Sequence, residues 1–495
     1  MLTYNFLINL MKKMKIKGFF KLFLCPVFLC ALINPSLAIE RSPTPSELEK
    51  QAKQLISSIN LSKNSKIGIQ VVDLDDGKTV FSINEAEPMS PASTMKLVTT
   101  RAALDLLGPN HRWITEIYYD GEIRQGKLFG NLYLLASGDP TMSIEKLWRL
   151  LSHIKVSGIT TIDGDVIIDR SVYRIPSHDP AAFDQRPTKT YNVGPDAFLI
   201  GENKIEITVD TNSESFFAPV YLFPNLGELK LESKVELREG KCSPAKIEAI
   251  LSGDVISVEG LLPRHCGLQS YELNLLSPKD FSKLVIRELW ESGGSTLSGT
   301  ISEGAIPRES KFLTNVASEP LAQAIRKINK ESSNSLARLL YLALAPEKIY
   351  ENSEQDSESA IRAWANKKNM YTDGLVFDNG SGLSRSERLS PVFLSEVLSD
   401  AWRDPFSSEF ISSLSIPGVD GTLRNRLTQS TASKRGHLKT GLLNEVRSIA
   451  GYLNHPSGHT FSVVVMINGP HQNNRIETID AIIDWIFSIK YNSLN

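Results

Sequence analysis

The sequence of 495 residues is poor in several residue types that mark particular classes of protein. Four cysteines and eight histidines are too few for a disulfide-rich scaffold or an array of zinc modules. The 54 basic and 56 acidic residues nearly cancel, which excludes the strongly basic footprint of a nucleic-acid-binding protein. The longest apolar run, residues 22–33, is too short to span a bilayer. A globular chain of about three structural units remains.

The first 38 residues have the order of a secretory signal peptide. Five lysines and no acidic residue precede or border the apolar run, and Ser36-Leu37-Ala38 follows as a small-x-small cleavage signal. We expect an exported protein, periplasmic or extracellular, that is cleaved near Ala38. No stable membrane anchor is expected, because Cys25 and Cys30 both follow Leu rather than a small residue. Without the five lysines, 49 basic residues face 56 acidic ones, a net charge of −7.

Two cysteines, Cys242 and Cys266, remain after that cleavage. An even pair in an oxidising compartment favours a disulfide, and two separate buried thiols are the alternative. Other metal-ligating residue types do not cluster with them in the sequence, so we expect no zinc site and no cofactor.

The apolar patterns place helices and strands along the chain. A capping box at Ser46 and Glu49 predicts the start of a helix, and a texture of short strands and turns predicts a β-rich insertion over 143–305. The other predicted elements are a hairpin (67–74 and 79–83), helices over 321–345 and after Ser390, three strands (437–443, 446–453 and 460–467) and a C-terminal amphipathic helix (476–487).

Three short motifs carry the chemistry, and they occur in a fixed order. Ser93-Thr94-Met95-Lys96 opens a predicted helix, Ser332-Ser333-Asn334 lies in helical sequence, and Lys439-Thr440-Gly441 lies on a predicted strand. Singly, the first two are weak: Ser-x-x-Lys recurs at Ser143, where a helix cap is the simpler interpretation. Lys-Thr-Gly occurs once, and the order of all three is the signature of serine penicillin-recognising enzymes.

The residue types suit acyl transfer through a serine. Residues three apart on a helix share a face, so Lys96 can lie beside the Ser93 hydroxyl. Burial near other cations lowers the pKa of a lysine, which would allow neutral Lys96 to act as the base. Ser332 is expected to relay a proton to the leaving amine. These three residues are the predicted catalytic set.

The remaining motif residues are expected to bind substrate. The amide of Asn334 can hold a peptide group, and Lys439 with Thr440 can bind a terminal carboxylate. Gly441 lets substrate lie close to the backbone. The N–H groups of Ser93 and Leu442 are expected to form the oxyanion hole.

On these motifs the sequence resembles the D-alanyl-D-alanine carboxypeptidase/endopeptidases of the peptidase S13 type, the class C low-molecular-mass penicillin-binding proteins. The likeness extends to Gly138-Asp139-Pro140-Thr141 and to residues 379–385, Asn-Gly-Ser-Gly-Leu-Ser-Arg. It implies an α/β (α+β) catalytic domain of the serine β-lactamase/transpeptidase type, with an antiparallel sheet covered by helices. The implied ranges are 39–142 and 306–495 for this domain, 143–205 and 272–305 for an inserted domain, and 206–271 for a smaller β domain nested inside it.

The same resemblance implies hydrolysis of peptidoglycan peptides that end in D-Ala-D-Ala, or of D,D-cross-links, through an acyl-enzyme on Ser93. β-Lactam antibiotics would be covalent inhibitors, and nucleic acid is not an expected partner. In some family members an acidic residue of the inserted domain reads the amino end of a diaminopimelate side chain. Asp184 is the candidate for that residue here.

Two departures from the family pattern keep other functions open. Leu442 stands where Ser or Thr usually follows Lys-Thr-Gly, and Asn379 replaces the Asp of the family's Asp-Gly-Ser-Gly segment. The missing hydroxyl motivates a catalytically weak or silent peptidoglycan-binding or penicillin-binding protein as the alternative. A β-lactamase is disfavoured by the long β-rich insertion and by the absence of a recognisable added hydrolytic carboxylate.

Overall fold

A computed structural model of the protein describes residues 43–58, 64–244, 246–345, 352–470 and 475–491. The predicted signal peptide lies outside these ranges. Within them, none of the helices combines the length and apolarity needed to cross a bilayer.

The helices of the described ranges are, in chain order, α1 (Pro45–Ser58), α2 (Met95–Leu107), α3 (Ile144–Val156), α4 (Pro278–Glu291), α5 (Leu321–Glu331), α6 (Asn334–Leu342), α7 (Ser353–Lys367), α8 (Pro391–Arg403), α9 (Ser407–Ser412) and α10 (Arg475–Ser488). The strands are β1 (Lys66–Asp73), β2 (Thr79–Ile83), β3 (Ile114–Tyr119), β4 (Glu122–Arg124), β5 (Lys127–Phe129), β6 (Leu132–Leu135), β7 (Thr161–Ile162), β8 (Val166–Asp169), β9 (Ile205–Asp210), β10 (Val220–Phe223), β11 (Lys230–Arg238), β12 (Ile247–Ser252), β13 (Val255–Pro263), β14 (Leu268–Leu273), β15 (Thr296–Leu297), β16 (Ile301–Glu303), β17 (Lys311–Ala317), β18 (Gly436–Leu443), β19 (Val446–Asn454) and β20 (Thr460–Asn468).

Strands from both ends of the chain form one antiparallel sheet in the order β18-β19-β20-β1-β2. Successive side chains of β19 point to opposite faces. Ile449 and Leu453 pack in the cluster that includes α1 and α10, and Ala450 and Tyr452 pack in the cluster that includes α2, α5, α6 and α8. Both faces are therefore buried, which confirms the predicted hairpin, the three C-terminal strands and the sheet covered by helices.

The region between α2 and α5 builds four further sheets, of five, four, three and three strands, in the orders β16-β8-β6-β3-β17, β15-β7-β5-β4, β10-β9-β14 and β11-β13-β12. Their buried residues, from Ile117 to Val316, form one hydrophobic cluster together with α3 and α4. This cluster is separate from the two that cover the sheet of the chain ends. A β-rich insertion is thus present, as the sequence texture predicts.

The insertion starts earlier than residue 143. Strand β3 pairs with β6 and with β17, and β6 pairs with β8, so the strands over 114–135 belong to the same sheet as strands that follow residue 143. The strands paired in these sheets therefore run from Ile114 to Ala317, the region called the insertion below, and the predicted domain ranges stay a prediction. Strands this short carry little periodic signal, and sequence alone does not separate them from the preceding helical region.

Helix α1 is capped two residues earlier than expected. Thr44 Oγ1 accepts the Glu47 N–H at 3.3 Å, and Glu47 Oε2 accepts the Thr44 N–H at 2.7 Å. The capping box is thus Thr44 with Glu47, and not Ser46 with Glu49. Pro45 takes the first helical position, where its missing N–H leaves no unpaired donor.

Cys242 and Cys266 form a disulfide in the structure. Cys242 follows β11 and Cys266 follows β13, so the bond joins the two loops that leave the ends of these paired strands. The residues are 24 apart in sequence.

Replacing both cysteines with Ala should lower the free energy of unfolding by about 3 kcal/mol, because the unfolded chain regains the freedom of the closed loop. Denaturant unfolding under oxidising conditions measures this change. Reduced wild type is the matched control and should lose a similar amount, whereas reductant should leave the Ala variant unchanged. A double variant as stable as oxidised wild type would contradict the expectation.

Candidate active site

The first motif lies where a turn enters a helix. Ser93 is the middle residue of a 3-10 turn, Ala92–Thr94, that continues into α2. Ala92 has a φ of 46°, in the left-handed region that side chains seldom adopt. Lys96, one helical turn after Ser93, donates from Nζ to Ser93 Oγ at 2.9 Å. The predicted proximity of the two side chains is present in the structure.

Lys96 is held entirely inside the protein, with none of its surface exposed. Besides Ser93, its Nζ donates to Asn334 Oδ1 at 2.7 Å and to the Ser381 carbonyl oxygen at 2.5 Å. Burial and the charge of Lys439 lower the pKa of Lys96 well below its ordinary value, and Glu387 opposes them. A lysine whose pKa is lowered in this way gives up its proton more readily than an exposed lysine, and it can then accept a proton from a serine hydroxyl.

The second motif lies at a helix break that the sequence pattern conceals. A single helix over 321–345 is wrong, since α5 ends at Glu331 and α6 begins at Asn334, with Ser333 as its cap. Ser332 between them is left-handed, with φ 61° and ψ 34°. Its hydroxyl accepts a hydrogen bond from Lys439 Nζ at 2.8 Å. The break therefore joins the second motif to the third.

The third motif lies on β18, an edge strand of the sheet. Lys439 is fully buried, and its Nζ also donates to the carbonyl oxygen of Thr440 at 2.8 Å. Burial lowers the pKa of Lys439 to about 7. The Thr440 hydroxyl donates to Thr422 Oγ1 at 2.8 Å. A bound anion would restore the Lys439 charge, because an opposite charge raises the pKa of an ammonium group.

Gly441 allows β18 to approach the turn that holds Ser93. A Cβ atom at this position would lie 2.1 Å from Ser448 Oγ and 2.7 Å from the carbonyl oxygen of Pro91. Any side chain would force the strand away from the turn. The glycine is thus required by the contact between the strand and the nucleophile turn.

The three motifs open onto one cleft of about 950 Å³. Ser93, Ser332, Asn334 and residues 440–442 line it, while Lys96 and Lys439 lie buried beside these lining residues. The Leu442 side chain is 59% exposed in the cleft wall. All eight predicted catalytic and substrate-binding residues are therefore brought together.

Asp184 lies in the wall that the insertion contributes to the cleft. Its carboxylate accepts hydrogen bonds from the Tyr191 hydroxyl and from Asn192 Nδ2, both at 2.7 Å. Although burial raises the pKa of Asp184, these two bonds bring it below its usual value. The carboxylate is charged and faces the space where a substrate would lie.

The insertion also holds the second motif from behind. Asn334 Nδ2 donates to the carbonyl oxygen of Tyr191 at 3.2 Å. The buried carboxylate of Glu202 accepts hydrogen bonds from Ser335 Oγ at 2.9 Å and from Ser333 Oγ. The position of the second motif therefore depends on residues of the insertion.

Three further residues at the site were not predicted. Ser381 accepts a bond from Lys96, and Thr422 accepts one from Thr440. Both lie in glycine-containing segments that the sequence displays, 379–385 and 418–423, so the segments were visible although the contacts were not. Glu387, which acts electrostatically on Lys96, has no local sequence signal.

The fold and the cleft define the class of this protein: a serine peptidase on a transpeptidase-like scaffold. The sequence model of the D-Ala-D-Ala carboxypeptidase 3 (S13) family matches residues 48–488. The chain belongs to the S13 family, and it is a serine-type carboxypeptidase hydrolase.

Known carboxypeptidases are similar to this chain over most of their length. A D-alanyl-D-alanine carboxypeptidase of Actinomadura sp. (strain R39) is 26% identical over 87% of this chain and 83% of its own. The D-alanyl-D-alanine carboxypeptidase DacB of Haemophilus influenzae is 25% identical over 83% of this chain and 86% of its own. The crystal structure of penicillin binding protein 4 (dacB) from H. influenzae matches the fold with a TM-score of 0.74 at 23% identity, covering 88% of this chain and 99% of that one. The predicted fold class is confirmed.

Gly441→Ala should reduce acylation by a fluorescent penicillin about 100-fold, because a displacement of β18 by about 1 Å misplaces the third motif relative to Ser93. The second-order labelling rate measures the effect. Gly240→Ala is the matched control, since a Cβ there meets only Pro263 Cβ, at an ordinary 3.8 Å. Equal labelling rates for the two variants would show that the close approach is not needed.

Proposed function

We propose that the protein is an exported D-Ala-D-Ala carboxypeptidase and D,D-endopeptidase that forms an acyl-enzyme on Ser93. One observation carries this proposal: two fully buried lysines each contact a serine that lines the cleft, Lys96 to Ser93 at 2.9 Å and Lys439 to Ser332 at 2.8 Å. A proton acceptor, Lys96, thus contacts the nucleophile, and a proton donor, Lys439, contacts a second hydroxyl group that lines the same cleft. Family membership supports the substrate class.

Acylation begins with proton transfer from Ser93 Oγ to neutral Lys96. The oxygen then bonds to the carbonyl carbon of the penultimate D-Ala, and the N–H groups of Ser93 and Leu442 receive the negative charge on the carbonyl oxygen. When the C–N bond breaks, the leaving amine needs a proton. Ser332 can supply it, because its own hydrogen can be donated to the amine while a proton from Lys439, whose Nζ donates to its oxygen, replaces it.

Substrate binding uses the other cleft residues. Lys439 and Thr440 hold the terminal carboxylate of a D-Ala-D-Ala peptide, and Asn334 holds the peptide group before the scissile bond. Water then attacks the ester on Ser93, and its proton passes through Ser332 to Lys439. Lys96 returns its proton to the Ser93 oxygen as the ester bond breaks, which restores the enzyme. A cross-link whose acceptor carries a free carboxylate would be cut by the same steps, which is the basis for the endopeptidase activity. The charged carboxylate of Asp184 suits an amino group on the stem peptide, so we retain it as the candidate reader of that group.

β-Lactams are proposed as covalent inhibitors of Ser93, since they present an acyl group and a carboxylate in the same arrangement. A penicillin binding protein 4 from H. influenzae in complex with a β-lactam matches this fold with a TM-score of 0.72. That likeness supports a cleft of suitable shape.

The cellular location and the domain division are part of the proposal. The lysine-rich start, the apolar run and the small-x-small signal at Ala38 support export to the periplasm or beyond. We propose a catalytic domain interrupted by an insertion, with a smaller β domain nested within that insertion. Strand pairing supports outer limits near Ile114 and Ala317.

Ser93→Ala should abolish fluorescent-penicillin labelling and D-Ala release from a muropeptide, because the attacking oxygen is removed. Gel fluorescence and amino-acid analysis measure the two activities. Ser143→Ala is the matched control: that serine begins another Ser-x-x-Lys but caps α3, accepting the Lys146 N–H at 3.2 Å. Persistent labelling of the Ser93 variant would refute the nucleophile, and wild-type labelling without D-Ala release would favour the silent binder.

Leu442→Ser should lower the KM for a D-Ala-D-Ala peptide about 3- to 10-fold. The new hydroxyl group can donate one hydrogen bond to the substrate carboxylate, and the fold-change corresponds to the free energy of one typical hydrogen bond. Steady-state kinetics of D-Ala release measure the change. Leu443→Ser is the control for an added hydroxyl at the next position of β18. An unchanged KM in the Leu442 variant would mean that Leu442 does not limit substrate binding.

A further inference from the structure

A buried carboxylate lies behind the nucleophile and its base. Glu387 is fully buried. Its Oε1 accepts the backbone N–H groups of Asn379 at 3.1 Å and Gly380 at 3.0 Å. Its Oε2 is buried without a hydrogen-bond partner among the residues that the structure describes. A carboxylate in such a place is costly unless a charge or a strong donor compensates it.

The turn that Glu387 holds is the turn that contacts α2. On its other side, the carbonyl oxygens of Gly380 and Ser381 accept hydrogen bonds from Thr99 at 2.7 Å and Lys96 at 2.5 Å. The turn therefore has donors directed to Glu387 and acceptors directed to the nucleophile helix. Losing the carboxylate would free two backbone donors and loosen the carbonyl that positions the Lys96 ammonium.

Glu387 interacts electrostatically with Lys96 and with other charged or titratable groups packed around it. These groups are Asp378 in the adjacent loop and Arg338 and Tyr341 on α6. Burial raises the pKa of Glu387 to about 7, with Asp378 adding to the rise and Lys96 opposing it. Glu387 in turn raises the pKa of Lys96.

We propose that Glu387 is a positioning residue for the base: its carboxyl group clamps the 379–381 turn against α2 and, when ionised, supplies a buried negative charge that acts on Lys96. This rests on the proposed role of Lys96. Position 379, where the resembled family has Asp, is occupied by Asn, and its Oδ1 accepts from Ser381 N–H at 3.0 Å and Ser381 Oγ at 2.6 Å. Asn379 Nδ2 also donates to the Leu383 carbonyl oxygen at 3.0 Å, a bond that Asp would lose, but a carboxylate there would keep both donors of Ser381.

The test is the pH profile of acylation by a fluorescent penicillin. Glu387→Gln keeps the shape of the side chain and removes its charge, so the acid limb of the profile should move to lower pH by about one unit. At a pH within the acid limb, the acylation rate of the variant, expressed as a fraction of its own plateau rate, should then be about tenfold that of wild type. A role in folding alone would lower the plateau and leave the limb in place.

Two further variants complete the experiment. Glu396→Gln is the matched control, since this half-buried glutamate also accepts a backbone N–H, that of Tyr371 at 2.7 Å, but does not act on Lys96. Its limb should coincide with that of wild type. Asn379→Asp combined with Glu387→Gln relocates the charge within the turn and should return the limb toward its wild-type position.

A limb unmoved by Glu387→Gln, or one that the relocated carboxylate does not restore, would overturn the proposal. Where Glu387→Gln fails to fold, Asn379→Asp alone should move the limb to higher pH, and an unmoved limb would again overturn it. Labelling of Ser93→Ala distinguishes a failure of the proposed function from a failure of the proposed role of Glu387. If that variant still labels, the proposed function fails; if it does not and the limb is unmoved, only the role of Glu387 fails.

Discussion

Two lysine amino groups without exposed surface, those of Lys96 and Lys439, control the arrangement of the catalytic core. An amino group taken out of water is stable only if hydrogen-bond acceptors replace its hydration shell. Lys96 receives them from Ser93, Asn334 and Ser381, and Lys439 receives them from Ser332 and the backbone of Thr440. These oxygens come from four separate segments of the chain. The same contacts therefore compensate the burial of the lysines and bring the reacting groups together.

The motif residues and the main sheet could be predicted from the sequence, because their signals are local. Spacing on a helix determines that Lys96 can reach Ser93, and apolar strands separated by turns give β18 to β20. The break at Ser332 could not be predicted, since helical periodicity continues on both sides and the left-handed residue is held by its contact with Lys439. Glu387 was missed for a similar reason: its burial depends on how the 379–387 loop packs on α2 and α6.

The insertion takes part in the site although its core is separate. Glu202 and Tyr191 contact the second motif from outside the catalytic sheet, and Asp184 faces the cleft. Glu202 is itself supported by Lys204 and Lys327, each 3.4 Å from its Oε1, so one ion-pair cluster joins the insertion to α5. A change in the insertion would reach catalysis through the position of Asn334.

The pairing of β1 with β20 determines when the enzyme can become active. Eight residues of β1, Lys66 to Asp73, pair with a strand almost 400 positions later in the chain. Contacts between such distant segments form late, because a large loop must close before they add stability. Lys439 and its strand belong to the same final part. A chain cut before β18 would carry Ser93 and Lys96 without Lys439 and without the strand that completes the cleft.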